Sequence, residues 1–184
     1  AALGDDARGG HRGERPPEAV PREPDFARGQ LRDESAELRL LPTLWFRNTW
    51  SWDSGAARPG LRAVTGVPGA SVVAATHERL GDRWLLCLGD NDLVFTENDT
   101  NTERLFGVPN ASPYVKDAID RYVVHGDAGA VNPARTGTKV AVDVPLTLAP
   151  GDSATVRLRL TDQPVVPGSG QGPGSAAAFD EIVD

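Results

Sequence analysis

The chain has 184 residues and a formal net charge of −7, from 19 Lys and Arg against 26 Asp and Glu. This acidic balance excludes a general binder of nucleic acids or anionic membranes, because both need a basic face. The single cysteine, Cys87, excludes an internal disulfide and a cysteine-cluster metal site. Its apolar neighbours predict a buried, inert thiol.

Residues 1–36 combine Arg, Asp, Glu, Gly and Pro with isolated apolar residues at no fixed period. Such a segment cannot bury enough apolar surface to offset its ordering entropy, which predicts a disordered N-terminal arm. No apolar stretch of the signal-peptide kind follows the N-terminus, so we expect a cytoplasmic protein. The sandwich portion is expected to run from 37 to 166.

From Leu38 to Phe46 nearly every second residue is apolar, which predicts a strand. Pro42 inside this run removes a hydrogen-bond donor, so the strand should lie at a sheet edge or be bulged. Further short strands are predicted over residues 62–65, 71–77, 83–88 and 93–96. The connecting sequences are rich in Gly, Pro, Asn and Asp, as turns are.

Apolar residues alternate from Val140 to Leu148 and again from Ala154 to Leu160, on either side of the turn at 149–152. This pattern predicts an antiparallel hairpin with one buried and one wet face. Together with the earlier strands it indicates a mainly β chain, folded as an antiparallel β-sandwich.

Two helices are predicted. Ser112 and Pro113 form a good N-cap and first-turn pair for a helix over Tyr114–Tyr122. A Gly/Pro-rich linker at 167–174 (PGSGQGPG) precedes a second, short C-terminal helix at 175–184.

The segment 44–53 (LWFRNTWSWD) holds three tryptophans in eight residues, mixed with Arg, Asn and Asp. Indole faces beside polar groups suit a sugar-contacting or interdomain surface. The alternative is that Trp45 or Phe46 fills the core while Trp50 and Trp52 plug a loop.

The segment 96–117 is rich in Asn, Thr and carboxylates, as polar recognition loops are. Glu97 and Glu103 could form a glycosidase acid–base pair, or the segment could be a solvated loop held by Asx turns. The three histidines are far apart and lack zinc-site spacing, so we expect no metal and no cofactor.

Three strings carry a resemblance to a known family: LPTLWFRNTWSWD at 41–53, LVFTENDTNTERLFGVPNASPYVKDAIDRYVVHG at 93–126 and AVNPARTGTKVAVDVPLTL at 130–148. They resemble bacterial glucosidase-type proteins of glycoside hydrolase family 63, over about residues 37–184. The resemblance implies a β-sandwich followed by an (α/α)6 barrel that hydrolyses α-glucosidic bonds with inversion. It also implies that this chain is the later part of an incomplete sandwich, with the catalytic acid and base in the barrel beyond Asp184. Residues 1–36 do not resemble the first half of such a sandwich, which points to a truncated product or a frame disruption.

We therefore expect a non-catalytic sandwich fragment of an α-glucosidase-like hydrolase. Its partner would be the (α/α)6 barrel, and it would help to shape the rim of the oligosaccharide pocket. The residues expected at this interdomain or rim surface are Arg47, Asn48, Trp50, Trp52, Asn98, Asn101, Glu103, Arg104, Asn110, Tyr114 and Lys116. The alternatives are a stand-alone carbohydrate-binding module, a small hydrolase that uses Glu97 and Glu103, and a truncated product without function of its own.

Overall fold

The computed structural model describes residues 34–52, 55, 57–165 and 167–168. The described residues belong to one compact unit that begins at Glu34. Nearly all of the predicted N-terminal arm, most of the linker and the whole predicted helix at 175–184 lie outside them.

The described part is mainly β, as predicted. Two short α-helices and a 3-10 turn at Ala128–Ala130 accompany the strands. The strands are β1 Ala36–Leu40, β2 Thr43–Trp45, β3 Gly60–Val64, β4 Ala70–His77, β5 Gly81–Leu88, β6 Asp92–Thr96, β7 Thr136–Gly137, β8 Lys139–Leu148 and β9 Leu158–Thr161. The helices are α1 Thr102–Phe106 and α2 Ala118–His125.

The first sheet is built around β8, with β1 and β2 on one side and β6 on the other, all antiparallel. β1 and β2 form one edge strand, since Leu40 opposite Val144 and Thr43 opposite Ala141 keep the same register. Pro42 interrupts this strand without a bulge, and its carbonyl accepts the Val142 N–H at 2.9 Å. The edge position predicted for Pro42 is therefore confirmed.

The second sheet has the order β7-β3-β4-β5-β9, and its pairings are also antiparallel. The four short strands predicted from the sequence appear as β3 to β6, with ends within two residues of the expected positions. The first three lie in this sheet, while β6 belongs to the other.

The two sheets pack face to face around one core. Phe95 and Val140 from the first sheet meet Val73 and Cys87 from the second, and all four side chains are fully buried. Alternating apolar residues on strands produce this arrangement, because each sheet turns one apolar face toward the other sheet. Burial raises the pKa of the Cys87 thiol, as expected for an inert buried cysteine.

The outer faces are partly covered as well, by α2 on the first sheet and by Val165 on the second. The wet face predicted for the strand at 140–148 is therefore wrong for its first half, where Ala141 and Asp143 are buried.

The hairpin predicted for the C-terminal strands is wrong. β8 pairs within the first sheet, whereas β9 crosses over and pairs with β5 in the second sheet. The predicted buried face of the second strand is also wrong, because Leu158 and Leu160 are exposed while Thr161 is buried. β9 is the edge strand of the wider sheet, so the narrower first sheet does not cover these two leucines.

The predicted helix at Tyr114–Tyr122 starts later than expected, as α2 begins at Ala118 after the N-cap Asp117. The Tyr114 carbonyl accepts the Glu97 N–H at 2.7 Å, and the Lys116 N–H donates to the Asp99 carbonyl at 3.0 Å. These residues therefore pair with the loop after β6 instead of forming a first helical turn.

α2 covers the outer face of the first sheet, where Ile119 packs with Val94 and Ala141. Among the described residues no helix is long and apolar enough to cross a membrane.

Candidate interdomain site

The two polar and aromatic segments leave the first sheet at the same end. Trp45 at the end of β2 and Thr96 at the end of β6 both lie opposite Lys139, the first residue of β8. Antiparallel pairing to one central strand thus brings the loop after β2 and the loop after β6 together.

Arg58 connects these two loops. Its Nη2 lies 2.8 Å from Glu97 Oε2 and 3.1 Å from Asp99 Oδ2, and its guanidinium stacks over the Trp50 ring at 5.5 Å. Asn48 Nδ2 donates to the other Asp99 oxygen at 2.7 Å. We call this group of Asn48, Trp50, Arg58, Glu97 and Asp99 the Arg58 cluster.

Partial burial of the Arg58 guanidinium would by itself lower its pKa. The hydrogen bond and negative charge of Glu97, together with those of Asp99, outweigh this and raise the pKa above its ordinary value. Arg58 therefore stays charged and links the Glu97 and Asp99 side chains.

Buried Thr138 anchors the Arg58 cluster to the sheet. Its hydroxyl donates to Glu97 Oε2 at 2.7 Å and accepts the Asn98 N–H at 2.8 Å. The Asn98 side chain in turn donates to the Phe46 carbonyl at 2.8 Å. Asn98 thus connects the loop after β6 to the loop after β2 through hydrogen bonds.

Trp52 and Arg47 form a second cation–π pair next to this cluster. The Arg47 guanidinium lies 5.1 Å from the centre of the Trp52 ring, and Trp52 is 70% exposed. The alternative that Trp52 plugs a loop is therefore wrong, since most of its surface faces solvent.

Asn101 organises the loop that carries α1. Its Oδ1 accepts the Arg104 N–H and an Asn110 amide hydrogen, both at 3.0 Å, and so caps the helix. Its Nδ2 donates to both oxygens of Asp117 at 3.2 and 3.3 Å. Arg104 Nη1 also lies 3.2 Å from Asp117 Oδ2. We call Asn101, Arg104, Asn110 and Asp117 the Asn101 network.

Glu97 and Glu103 belong to different parts of this surface. The Glu97 carboxylate is bound by Arg58 and Thr138 in the Arg58 cluster. Glu103 lies on α1, where its backbone N–H donates to Asn110 Oδ1 at 3.2 Å. Oxygen Oε2 of Glu97 is thus already occupied by two side chains of this chain, whereas Glu103 is held in a different part of the surface.

The chain contains two lysines, Lys116 and Lys139. Lys139 is the first residue of β8, and it contacts Lys116, which lies just before α2. Lys139 Nζ donates to the Lys116 carbonyl, and Lys116 Nζ donates to the Thr100 hydroxyl, each at 3.2 Å. Burial is the larger cause that lowers the pKa of Lys139, and the positive charge of Lys116 lowers it further, while Asp117 opposes both.

Replacing Lys116 by methionine is expected to raise the pKa of Lys139 part of the way to the ordinary lysine value, since burial remains. Side-chain NMR titration of ¹³C-labelled lysine measures this directly, with a Lys139→Met variant to assign the signals. Because the pKa of Lys139 is lower in the folded protein than in the unfolded chain, the unfolded chain binds more protons in the alkaline range between these two values. The contribution of Lys139 to stability therefore rises as the pH climbs through that range. An unchanged Lys139 pKa in Lys116→Met would contradict this electrostatic coupling.

Two open cavities of about 360 Å³ flank this region. One lies beside Arg58 and Glu97 and the other beside Lys116 and Lys139. Within the described ranges no group of three His, Cys, Asp or Glu side chains is arranged to hold a metal ion.

The structure therefore brings the predicted site residues into one continuous loop region, where most of them bind one another. Sequence reasoning missed the residues that connect them, notably Arg58, Asp99 and Asp117. It also missed α1, although Asn101 before it and Gly107 after it are ordinary helix-start and helix-stop signals.

Among known proteins, the chain is similar to the uncharacterized protein YMR196W of Saccharomyces cerevisiae, with 32% identity over 154 residues. The match covers 71% of this chain but 14% of the yeast protein, so the chain spans about one seventh of the length of that relative. No family model and no solved structure matches the chain.

Proposed function

We propose that this chain is a non-catalytic β-sandwich portion of a larger α-glucosidase-like hydrolase of glycoside hydrolase family 63. It packs against an (α/α)6 catalytic barrel and helps to shape the rim of the oligosaccharide pocket. The three family-like strings and the small share of the yeast relative that the chain matches support a place in a longer protein. We propose the cytoplasm as its compartment, since a single buried thiol is typical of reducing conditions.

The observation that carries the proposal is that three carboxylates fix this surface. Glu97 and Asp99 link the loop after β2 to the loop after β6, and Asp117 holds the part of the second loop that carries α1. Each is ion-paired with an arginine and also accepts hydrogen bonds from neighbouring side chains. Such bracing produces a rigid surface of polar and aromatic side chains, which is what a supporting domain needs at an interface.

The first measurement is the size of the natural polypeptide in extracts of the source cells, by immunoblot with antibodies against residues 93–126. We expect a band far larger than 19.5 kDa and hydrolysis of an aryl α-glucoside by the purified polypeptide. A polypeptide of 19.5 kDa, or a large one without α-glucosidase activity, would contradict the proposal.

In the intact polypeptide, Arg104→Ala is expected to lower kcat/KM for the α-glucoside several-fold, because the loop at the barrel interface loses its ion pair with Asp117. Arg121→Ala is the matched control, since it removes another exposed arginine–aspartate pair, with Asp127, at the end of α2. Equal kinetics for the two variants would count against a role of the Asn101 network at the interface.

A stand-alone carbohydrate-binding module is the second candidate, and the 70% exposure of Trp52 favours it. A solvent-facing indole stacks on the apolar face of a sugar ring. This candidate predicts that the chain alone binds maltose-type oligosaccharides in isothermal titration calorimetry. Binding should disappear in Trp52→Ala and persist in Trp45→Ala, which alters an exposed tryptophan outside the cation–π pair.

A further inference from the structure

The tip of the loop that carries α1 is apolar and exposed. Leu105, Phe106 and Val108 all face solvent, and Phe106 is 71% exposed. Single exposed apolar residues are common on proteins, but three large ones within four positions form a patch. They contribute little to the stability of this sandwich, because none of them is buried against it.

The backbone under this patch is held firmly. Asn101 caps the start of α1, and Gly107 ends it in a left-handed conformation, with its N–H donating to the Glu103 carbonyl at 3.0 Å. Asn110 binds both Asn101 and the Glu103 N–H from the far side of the loop. A loop fixed in this way loses little conformational entropy on binding, so its exposed tip is preorganised for contact.

We propose that Leu105, Phe106 and Val108 insert into an apolar pocket elsewhere on a longer polypeptide that contains this sandwich. This inference rests on the part of the proposed function that places the chain within a larger protein. In the yeast relative, the matched region accounts for 14% of the chain, so most of that polypeptide is available to supply such a pocket.

The charge next to the tip indicates what surrounds the pocket. Within the described residues, the Glu103 carboxylate has no hydrogen-bond or ion-pair partner, and it lies on the same helix as Phe106. Arg104 is already paired with Asp117. The pocket is therefore apolar inside, with a Lys or Arg at its rim to pair with Glu103.

The test places the photoreactive amino acid p-benzoylphenylalanine at position 106 of the natural polypeptide in its source cells. A second strain carries it at position 80 as the control. Leu80 is also an exposed apolar residue, at 59%, but it lies in the turn between β4 and β5. After irradiation, cross-linked peptides are identified by mass spectrometry.

We expect position 106 to cross-link to a peptide of the same polypeptide outside residues 1–184, at least ten-fold more efficiently than position 80. Equal yields at both positions would overturn the inference. Cross-links from position 106 to peptides within residues 1–184 alone would also overturn it, since the patch would then contact its own sandwich or a second copy of it. Cross-linking in a polypeptide without α-glucosidase activity would refute the proposed function and leave the docking contact standing.

A Phe106→Ser variant separates docking from folding. We expect the urea midpoint of the 184-residue chain to be unchanged, as for Leu80→Ser, because both side chains are exposed. In the natural polypeptide, Phe106→Ser should increase the rate of limited proteolysis between the sandwich and the rest at least several-fold, while Leu80→Ser should not. Equal rates for the two variants would contradict docking by Phe106.

Discussion

Gly137→Ala is expected to lower the free energy of unfolding by about 3 kcal/mol, the upper end for overpacking of a rigid site. A Cβ at Gly137 would lie 2.3 Å from the Thr96 carbonyl oxygen and 2.9 Å from its carbon. Both atoms are backbone, and Thr96 and Phe95 on β6 are fully buried, so a shift of this strand would disturb the core. The Thr138 N–H that donates to the same carbonyl at 3.1 Å would also be displaced.

Gly60→Ala is the matched control for this substitution. Gly60 also lies in the second sheet, and a Cβ there would meet nothing within 4 Å. Its unfolding free energy should stay within about 0.5 kcal/mol of the wild type. Urea unfolding followed by tryptophan fluorescence measures both variants. Similar midpoints for Gly137→Ala and Gly60→Ala would show that β6 and β7 are not in close contact.

Arg39→Met is expected to lower the unfolding free energy by about 2 kcal/mol, because it leaves a buried carboxylate without its counter-charge. Asp143 is 2% exposed, and its Oδ2 lies 3.0 Å from Arg39 Nη2. Within the described part of the chain its other oxygen, Oδ1, has no hydrogen-bond partner. Arg39 itself is partly exposed, so solvent reduces the loss below that of a fully buried pair.

The double variant Arg39→Met/Asp143→Leu tests this explanation. With the carboxylate removed, no charge is left uncompensated, and a well-packed apolar side chain can replace a buried ion pair at little cost. We therefore expect the double variant to recover most of the stability that Arg39→Met loses. A double variant with the summed losses of both single changes would mean that the two residues do not interact.

The C-terminal strands β8 and β9 show what the alternation of apolar residues can and cannot predict. The alternation from Val140 to Val144 identified the core-facing side of β8 correctly, since Val140, Val142 and Val144 all lie in the core. The strand with which β9 pairs could not be predicted from this alternation. A strand that turns back and a strand that crosses to the opposite sheet have the same two-residue period. Burial of Leu158 and Leu160 depends on the width of the facing sheet, a property of the whole fold.

The two loops of the candidate site could be predicted because they are rich in polar and aromatic residues. The single residues that connect the loops could not be predicted. The asparagines of segments 44–53 and 96–117 marked the two loops, and Asn48, Asn98 and Asn101 do bind across or along them. Arg58 and Thr138 connect the same loops, but each is one ordinary residue in an undistinguished stretch. Their role arises from contacts between segments about 40 residues apart, which local spacing does not encode.

The crossing of the chain between the sheets has a consequence for synthesis on the ribosome. In the first sheet, β1 cannot pair until β8 has been synthesised, since Ala36 lies opposite Leu148. The second sheet gains β9 only after residues 158–161 have been synthesised. Neither sheet can be finished while the earlier strands emerge, and the apolar faces of β4 and β5 must wait for β8 to cover them. Such long-range pairings make folding slow and produce aggregation-prone intermediates with exposed apolar surface. Nascent chains of this sandwich should therefore depend on chaperones until the last strand has left the exit tunnel.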